Sequence, residues 1–194
     1  MAGTNVVVTL DFRADNSLKP ESWSTMQRFK RDPSDVVFGN AQLEVNAPMI
    51  DIDWLNEANL ETGMVKLAIR QLSVRIEAKT TMRVFRGVDK TSKCYKHLVV
   101  HENKHVKLFK RALTRSVRQY RRALDREKYP DLKKSIELEA READAFVRRW
   151  KMRLETMHLD EMKRMTDGAR AFSEKIHTKM EKRRTGSLCL EYQP

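Results

Sequence analysis

The hydrophobic side chains of this chain recur with one spacing before residue 90 and with another after it. From Val65 to Phe85 they alternate with polar residues, as in a strand with one buried face. After a turn at residues 87–90 they return every three or four residues, as on one face of an amphipathic helix. This change of period predicts an α+β protein in which an antiparallel β-sheet region precedes a long helical hairpin.

The individual elements follow from turn-forming and capping residues. Further strands are predicted at residues 5–12, 36–38, 42–45 and 49–54, where β-branched and aromatic runs lie between turn signals. Thr91 or Ser92 can cap the first helix, which should run to about Lys128, where Tyr129-Pro130 stops it. A second helix should begin at Asp131 and continue towards Arg184, with Gly168 as the one residue that could interrupt it.

Charged residues are also distributed unevenly along the chain. Residues 1–90 contain 12 Lys or Arg and 12 Asp or Glu, whereas residues 91–194 contain 27 and 15, so the net charge of +12 lies entirely in the second part. This break predicts a β-rich region at 1–90 that packs on the helices, a basic helical hairpin at 91–184, and a loosely held tail at 185–194.

The sequence contains few indications of a membrane segment, an export signal or a disulfide. No apolar run approaches the roughly 20 residues that span a bilayer, and the N-terminal residues lack the regions of an ordinary signal peptide. We therefore expect no transmembrane segment, and a protein that is either cytoplasmic or exported by another route. The two cysteines, Cys94 and Cys189, lack the spacing of a disulfide framework or a structural zinc site, and we interpret them as free thiols.

Residues 101–105, His-Glu-Asn-Lys-His, point to a specific chemistry. Two histidines four residues apart lie on one helix face and can bind one tetrahedral zinc ion. Glu102 can then act as general base, taking a proton from the attacking water. His97 lies one turn before His101, but the helix face drifts by about 80° between His97 and His105, so we interpret His97 as a neighbour of a ligand or of the substrate.

A catalytic zinc ion needs a third protein ligand, for which the second helix offers Glu142 or His158. If the hairpin turns at Tyr129-Pro130, facing residues have numbers that sum to about 259, so His101 faces residue 158. Glu142 then lies about 24 Å from His158 along the helix, too far to replace it at zinc–ligand distances of about 2.1 Å. This geometry favours His158, although a single histidine is also often an ordinary buried side chain.

The order of a β-rich half, a helix with HExxH, and a second helix with Thr-x-His resembles a family of predicted secreted zinc-dependent proteases. There, Thr-x-His-Gly about 50–60 residues past HExxH is the natural source of the third ligand. Thr156-Met157-His158 matches, whereas Leu159 replaces the glycine and the family's Tyr-Asp is not found. The resemblance implies that His101, His105 and His158 bind zinc. Thr156, Asp144 and Glu155 are then candidates to hydrogen-bond and orient a ligand.

Two functions follow from these observations. The first is a zinc metallopeptidase that hydrolyses peptide bonds, with Glu102 as general base and a peptide or protein as substrate. The second is a non-enzymatic helical scaffold or particle component in which HExxH is incidental or degenerate. Its basic helices would bind an anionic polymer, either nucleic acid or cell-wall material.

Overall fold

The longest strand of the protein, β4 (Met64–Phe85), is the strand with which the others pair. The structure, a computed structural model, describes residues 4–30, 36–127, 129–131 and 133–193. The sheet also contains β1 (Asn5–Glu21), β2 (Gly39–Val45), β3 (Met49–Asn59) and β5 (Ile136–Glu139). The helices are α1 (Trp23–Gln27), α2 (Lys93–Arg126), α3 (Ala140–Glu174) and α4 (Lys179–Cys189), followed by a 3-10 turn at Leu190–Tyr192. The predicted α+β class, with a sheet region before long helices, is confirmed.

Two compact units share these elements. The first comprises Met1–Asp11, Asn46–Glu77 and Thr114–Met165, and the second comprises Phe12–Val45, Ala78–Leu113 and Thr166–Pro194. Each unit therefore contains both strands and helices, because β1, β4, α2 and α3 all contribute residues to both. This division does not coincide with the boundary that the charge distribution predicts at residue 90.

In the first unit, β3 and β4 form an antiparallel hairpin around Gly63, whose φ of 68° is in the left-handed region that favours glycine. The large buried side chains of β4 alternate from Val65 to Ile69, where the small Ala68 is buried as well, and again from Leu72 to Ile76. The three-residue step between these runs coincides with a bulge, because Asp53 pairs with Gln71 but Trp54 pairs with Ile69. The bulge skips one residue of β4 and so keeps both runs on the buried face.

The connection between α2 and α3 is longer than predicted. Helix α2 ends at Arg126, and Lys128, where the sequence predicts its end, lies outside the described residues. The second helix begins at Ala140 and not at Asp131, because residues 136–139 form β5 and pair with residues 64–67 of β4. None of the helices in the described ranges is long and apolar enough to cross a membrane.

In the second unit, a disulfide lies in the hydrophobic core. It joins Cys94 in the first turn of α2 to Cys189 at the end of α4, with the two Cα atoms 5.1 Å apart. The prediction of two free thiols is therefore wrong, and so is that of a loose tail after residue 185. The buried residues around the disulfide are Phe38, Val84, Val88 and Leu98. The partly buried aromatic rings that pack against them are Trp23, Phe85, Tyr95 and Tyr192.

Three smaller predictions also change. Residues 36–38 precede β2 and are not a strand, and the predicted separator Gly39-Asn40 is instead the start of β2. The first strand extends to Glu21 and not to Phe12. Ser92 is the cap of α2, since its hydroxyl oxygen accepts a hydrogen bond from the backbone N–H of Tyr95 at 3.0 Å.

Candidate metal centre

The HExxH residues lie on the buried face of α2, in the second unit. His101, Glu102 and His105 are 6%, 2% and 4% exposed, although all three are polar. They are buried because Leu98, Val106 and Phe109, which lie three or four residues before or after the motif residues, turn this face of the helix towards the core. A buried polar group is stable only when a hydrogen bond, an opposite charge or a metal ion satisfies it. The burial of these three side chains therefore implies that each has such a partner.

A third histidine completes a cluster with the two in the motif. His177 lies between α3 and α4, with its ring centroid 5.3 Å from that of His101 and 4.7 Å from that of His105. One ligand nitrogen from each of the three histidines lies within 4.8 Å of the other two. His177 is exposed, so the cluster has two buried ligands and one that faces solvent.

The spacing of the two motif nitrogens is close to that expected on a zinc ion. His101 Nε2 and His105 Nε2 are 3.1 Å apart. Two nitrogens on one tetrahedral zinc, each bonded at about 2.1 Å, should lie about 3.4 Å apart, so a small adjustment would satisfy both bonds. Three imidazoles are also a donor set that zinc accepts, and they leave a fourth position open.

A carboxylate contacts one histidine of the cluster. Glu181 Oε1, in the first turn of α4, lies 3.1 Å from His101 Nδ1 and 3.7 Å from His97 Nε2. If His101 donates its Nδ1–H to Glu181, its Nε2 carries the lone pair that a metal needs. Partial burial tends to raise the pKa of Glu181, but the hydrogen bond and charge of His101, with Lys104 and His97, outweigh it and lower that pKa.

Glu102 is buried beneath β2. Its carboxylate accepts a hydrogen bond from the backbone of Ala41, and a Cβ added at Gly39 would lie 2.7 Å from its Oε1. Burial raises the pKa of Glu102 to about 8, and the hydrogen bond from Ala41 offsets only part of this effect. Glu102 does not belong to the group of mutually close ligand atoms, as expected for a general base that is not itself a ligand.

The raised pKa of Glu102 predicts how the stability of the metal-free protein depends on pH. Between pH 4.5 and about 8 the folded state keeps a proton that the unfolded state has released, so stability should fall as pH rises. The slope is at most about 1.4 kcal/mol per pH unit. Urea unfolding with a chelator present should show this loss in the natural sequence and not in Glu102→Gln. Equal pH dependence of the two proteins would contradict the assignment.

The structure does not bring His158 to the cluster, although the sequence favours it as the third ligand. His158 belongs to the first unit, where its Nε2 lies 3.2 Å from the hydroxyl oxygen of Tyr120 and its Nδ1 has no hydrogen-bond partner in the described part of the chain. Burial lowers the pKa of His158 to about 4, so the ring is neutral at pH 7. His158 is therefore a buried histidine in contact with Tyr120, and the third histidine of the cluster is His177.

The other residues singled out from the sequence lie on the exposed surface of α3, in the first unit. Glu142, Asp144, Glu155 and Thr156 are all exposed. The Thr156 hydroxyl donates to the backbone oxygen of Met152 at 3.0 Å, a bond within its own helix. His97, by contrast, lies beside the histidine cluster, because Glu181 is near both His97 and His101.

Comparison of the chain with protein-family models, with curated proteins and with solved structures gave no match.

Proposed function

We propose that the protein is a zinc-dependent metallopeptidase, in which His101, His105 and His177 bind the metal and Glu102 is the general base. The observation that carries this proposal is the convergence of the three imidazoles, with their ligand nitrogens within 4.8 Å of one another, on the helix that presents a buried glutamate. A zinc ion held there would act as a Lewis acid on a water molecule and on the scissile carbonyl.

The environment of Glu102 suits proton transfer near neutral pH. A general base works best when its pKa is close to the working pH, and the pKa of Glu102 is raised to about 8. The backbone N–H of Ala41 holds the carboxylate in place while it takes a proton from water and passes it to the leaving amine. Positive charge from a bound zinc would lower this pKa and favour the ionised form that accepts the proton.

The position of β2 supports a peptide as the substrate. Within the described residues, β2 pairs only with β4, so its other edge, apart from the Ala41 N–H that Glu102 uses, can add an extended chain by backbone hydrogen bonds. This edge of β2 lies beside Glu102, because Gly39 and Ala41 are both close to the Glu102 carboxyl group. Asn40 Oδ1, between them, is buried without a hydrogen-bond partner among the described residues and could accept a substrate N–H.

Metal content and hydrolysis test the proposal directly. Protein purified without chelator should contain about one zinc per chain. Glu102→Gln should keep this zinc and lower the rate of peptide hydrolysis by about 10²–10⁴-fold, the usual contribution of a general base. Glu142→Gln, the same change at an exposed glutamate of α3, is the matched control and should leave both unchanged. No zinc in the unmutated protein would refute the metallopeptidase.

A second candidate is a scaffold that binds an anionic polymer, which the exposed face of α2 favours. In the first unit this face carries Arg115, Arg118, Arg122 and Arg126, spaced three or four residues apart and all exposed. None has an ion-pair partner within the described residues. Like charges at this spacing repel each other, and phosphates would relieve the repulsion. Tight, salt-dependent nucleic-acid binding that survives His101→Ala, in a protein without zinc, would favour this function over hydrolysis.

A further inference from the structure

The third ligand and the carboxylate that orients His101 both come from one short segment. We name residues 175–192 the C-terminal arm: it contains His177, the cap Thr178, α4 with Glu181, and the 3-10 turn. Every other component of the cluster belongs to α2. The metal centre therefore depends on how the C-terminal arm is held against α2, within the second unit.

Four contacts join the C-terminal arm to α2 in one antiparallel register. They are the disulfide between Cys94 and Cys189, the 3.0 Å hydrogen bond between His97 and Thr185, the 3.1 Å contact between His101 and Glu181, and the 4.7 Å ring contact between His105 and His177. The residues on each side are three or four positions apart, so they lie on one helix face. The disulfide is the first of the four contacts and the metal ligand is the last.

Few side chains of the C-terminal arm are buried, and its start is joined to the end of α3 by backbone hydrogen bonds from Ile176 to Ser173 and from His177 to Glu174. Helix α4 has 11 residues, a length at which an isolated helix is marginal in water. Among its described side chains only Cys189 is buried, while Met180 is 79% exposed. Leu188 and Tyr192 are the side chains of the arm that pack against the core around the disulfide. Apart from the partly buried Ile176 next to α3, apolar burial in the arm is thus found at the end that the disulfide anchors.

We propose that the C-terminal arm is a disulfide-anchored part of the metal centre, so that oxidation of Cys94 and Cys189 determines whether the zinc site is complete. This inference rests on the proposed zinc site. In the dithiol form, α2 still presents His101 and His105, but the Cys189 end of the arm is no longer fixed to α2. The register that brings Glu181 and His177 to the site is then held by the non-covalent contacts alone. In the oxidised form, the covalent bond keeps the arm in register and brings both residues to the site.

The oxidation can be written as thiol–disulfide exchange with a small-molecule disulfide such as glutathione disulfide. One cysteine thiolate attacks a sulfur of the oxidant, forming a mixed disulfide and releasing one glutathione thiol. The other cysteine thiolate then displaces the second glutathione and closes the Cys94–Cys189 bond. The two cysteines together lose two electrons and two protons, and the oxidant becomes two thiols.

The test compares zinc affinity in the two redox states. Zinc dissociation constants would be measured by competition with a chromophoric chelator, for protein oxidised with glutathione disulfide and for Cys94→Ser/Cys189→Ser. We expect zinc binding at least ~10-fold weaker in the double variant, together with faster amide exchange in residues 179–189. Protection of residues 78–84 of β4 should persist, showing that the second unit is folded.

Two further variants keep the proposal testable if the double variant does not fold. Glu181→Ala and Glu181→Gln both retain the disulfide and the three histidines. Loss of an outer partner of a metal-bound histidine typically weakens metal binding by about 10–100-fold. Glu181→Ala should show such a loss, and Glu181→Gln, whose amide oxygen can still accept from His101 Nδ1–H, should recover part of it.

The outcomes distinguish this inference from the proposed function. Equal zinc affinity, within two-fold, in the oxidised protein and a folded double variant would overturn the redox dependence and leave the metallopeptidase standing. The same affinity in Glu181→Ala as in the natural sequence would overturn the role of Glu181 in orienting His101. Absence of zinc from the oxidised, unmutated protein would instead refute the proposed function, and this inference with it.

Discussion

His177→Ala is expected to bind zinc at least ~100-fold more weakly than the natural sequence, whereas His158→Ala should bind it with unchanged affinity. The expectation follows from the ligand geometry, since the His177 nitrogen lies within 4.8 Å of those of His101 and His105, while His158 contacts Tyr120. Each ligand of a protein zinc site contributes several kcal/mol to binding, which makes the loss of one ligand a large effect. Competition with a chelator measures it.

His158→Ala is a demanding control for this experiment. It removes a fully buried side chain and leaves the Tyr120 hydroxyl without its partner, so it should lower the free energy of unfolding by a few kcal/mol. The two variants should therefore separate metal binding from stability. If His158→Ala loses zinc while remaining folded, and His177→Ala keeps it, the ligand set proposed from the structure is wrong.

Gly39→Ala should reduce peptide hydrolysis by about 10²-fold without reducing zinc content. The added Cβ would lie 2.7 Å from Glu102 Oε1 and 3.2 Å from Leu98 Cδ2, both closer than ordinary contact. The Glu102 carboxyl group must shift to relieve this contact. Because Glu102 is only 2% exposed, it can do so only by giving up its present position and hydrogen bond. A displacement of about 1 Å in a catalytic group can cost about this factor, and the ligand histidines are not touched.

Gly168→Ala provides the matched control. A Cβ at Gly168, in α3, would meet nothing within 4 Å, and replacing a helical glycine by alanine usually stabilises a protein by about 1 kcal/mol. This variant should keep full activity and zinc and should melt at a slightly higher temperature. Full activity in zinc-loaded Gly39→Ala would mean that Glu102 is not the general base or is not confined beneath β2.

Periodicity predicts the sheet and the long helices because burial of one face determines where their apolar residues recur. The alternation from Val65 to Phe85 is the single strand β4, and its irregular step after Ile69 is the bulge. Short elements are less predictable, since the pairing of residues 136–139 with β4 depends on a distant strand. Nothing local in Ile136–Glu139 distinguishes β5 from the first turn of a helix.

The clustering of His177 with His101 and His105 could not be predicted, because the helix register was inferred from a turn that the structure does not have. The prediction assumed a tight turn at Tyr129-Pro130, for which the numbers of facing residues sum to about 259. In the structure, β5 lengthens the connection between the two helices, and α3 ends before His177. In the second unit the C-terminal arm faces α2 with numbers that sum to 282 or 283. Pairing the two cysteines as a disulfide would have predicted this register from the sequence.

The regular spacing along the C-terminal arm also defines how related chains could be identified. An α-helix turns by about 100° per residue, so one residue inserted between Glu181 and Cys189 would turn the cysteine away from Cys94. The positions therefore form two linked signatures, Cys-x6-His-Glu-x2-His in the first helix and His-x3-Glu-x7-Cys near residues 177–189. Chains that carry both, whatever their remaining sequence, are those in which we expect the same disulfide-anchored metal centre.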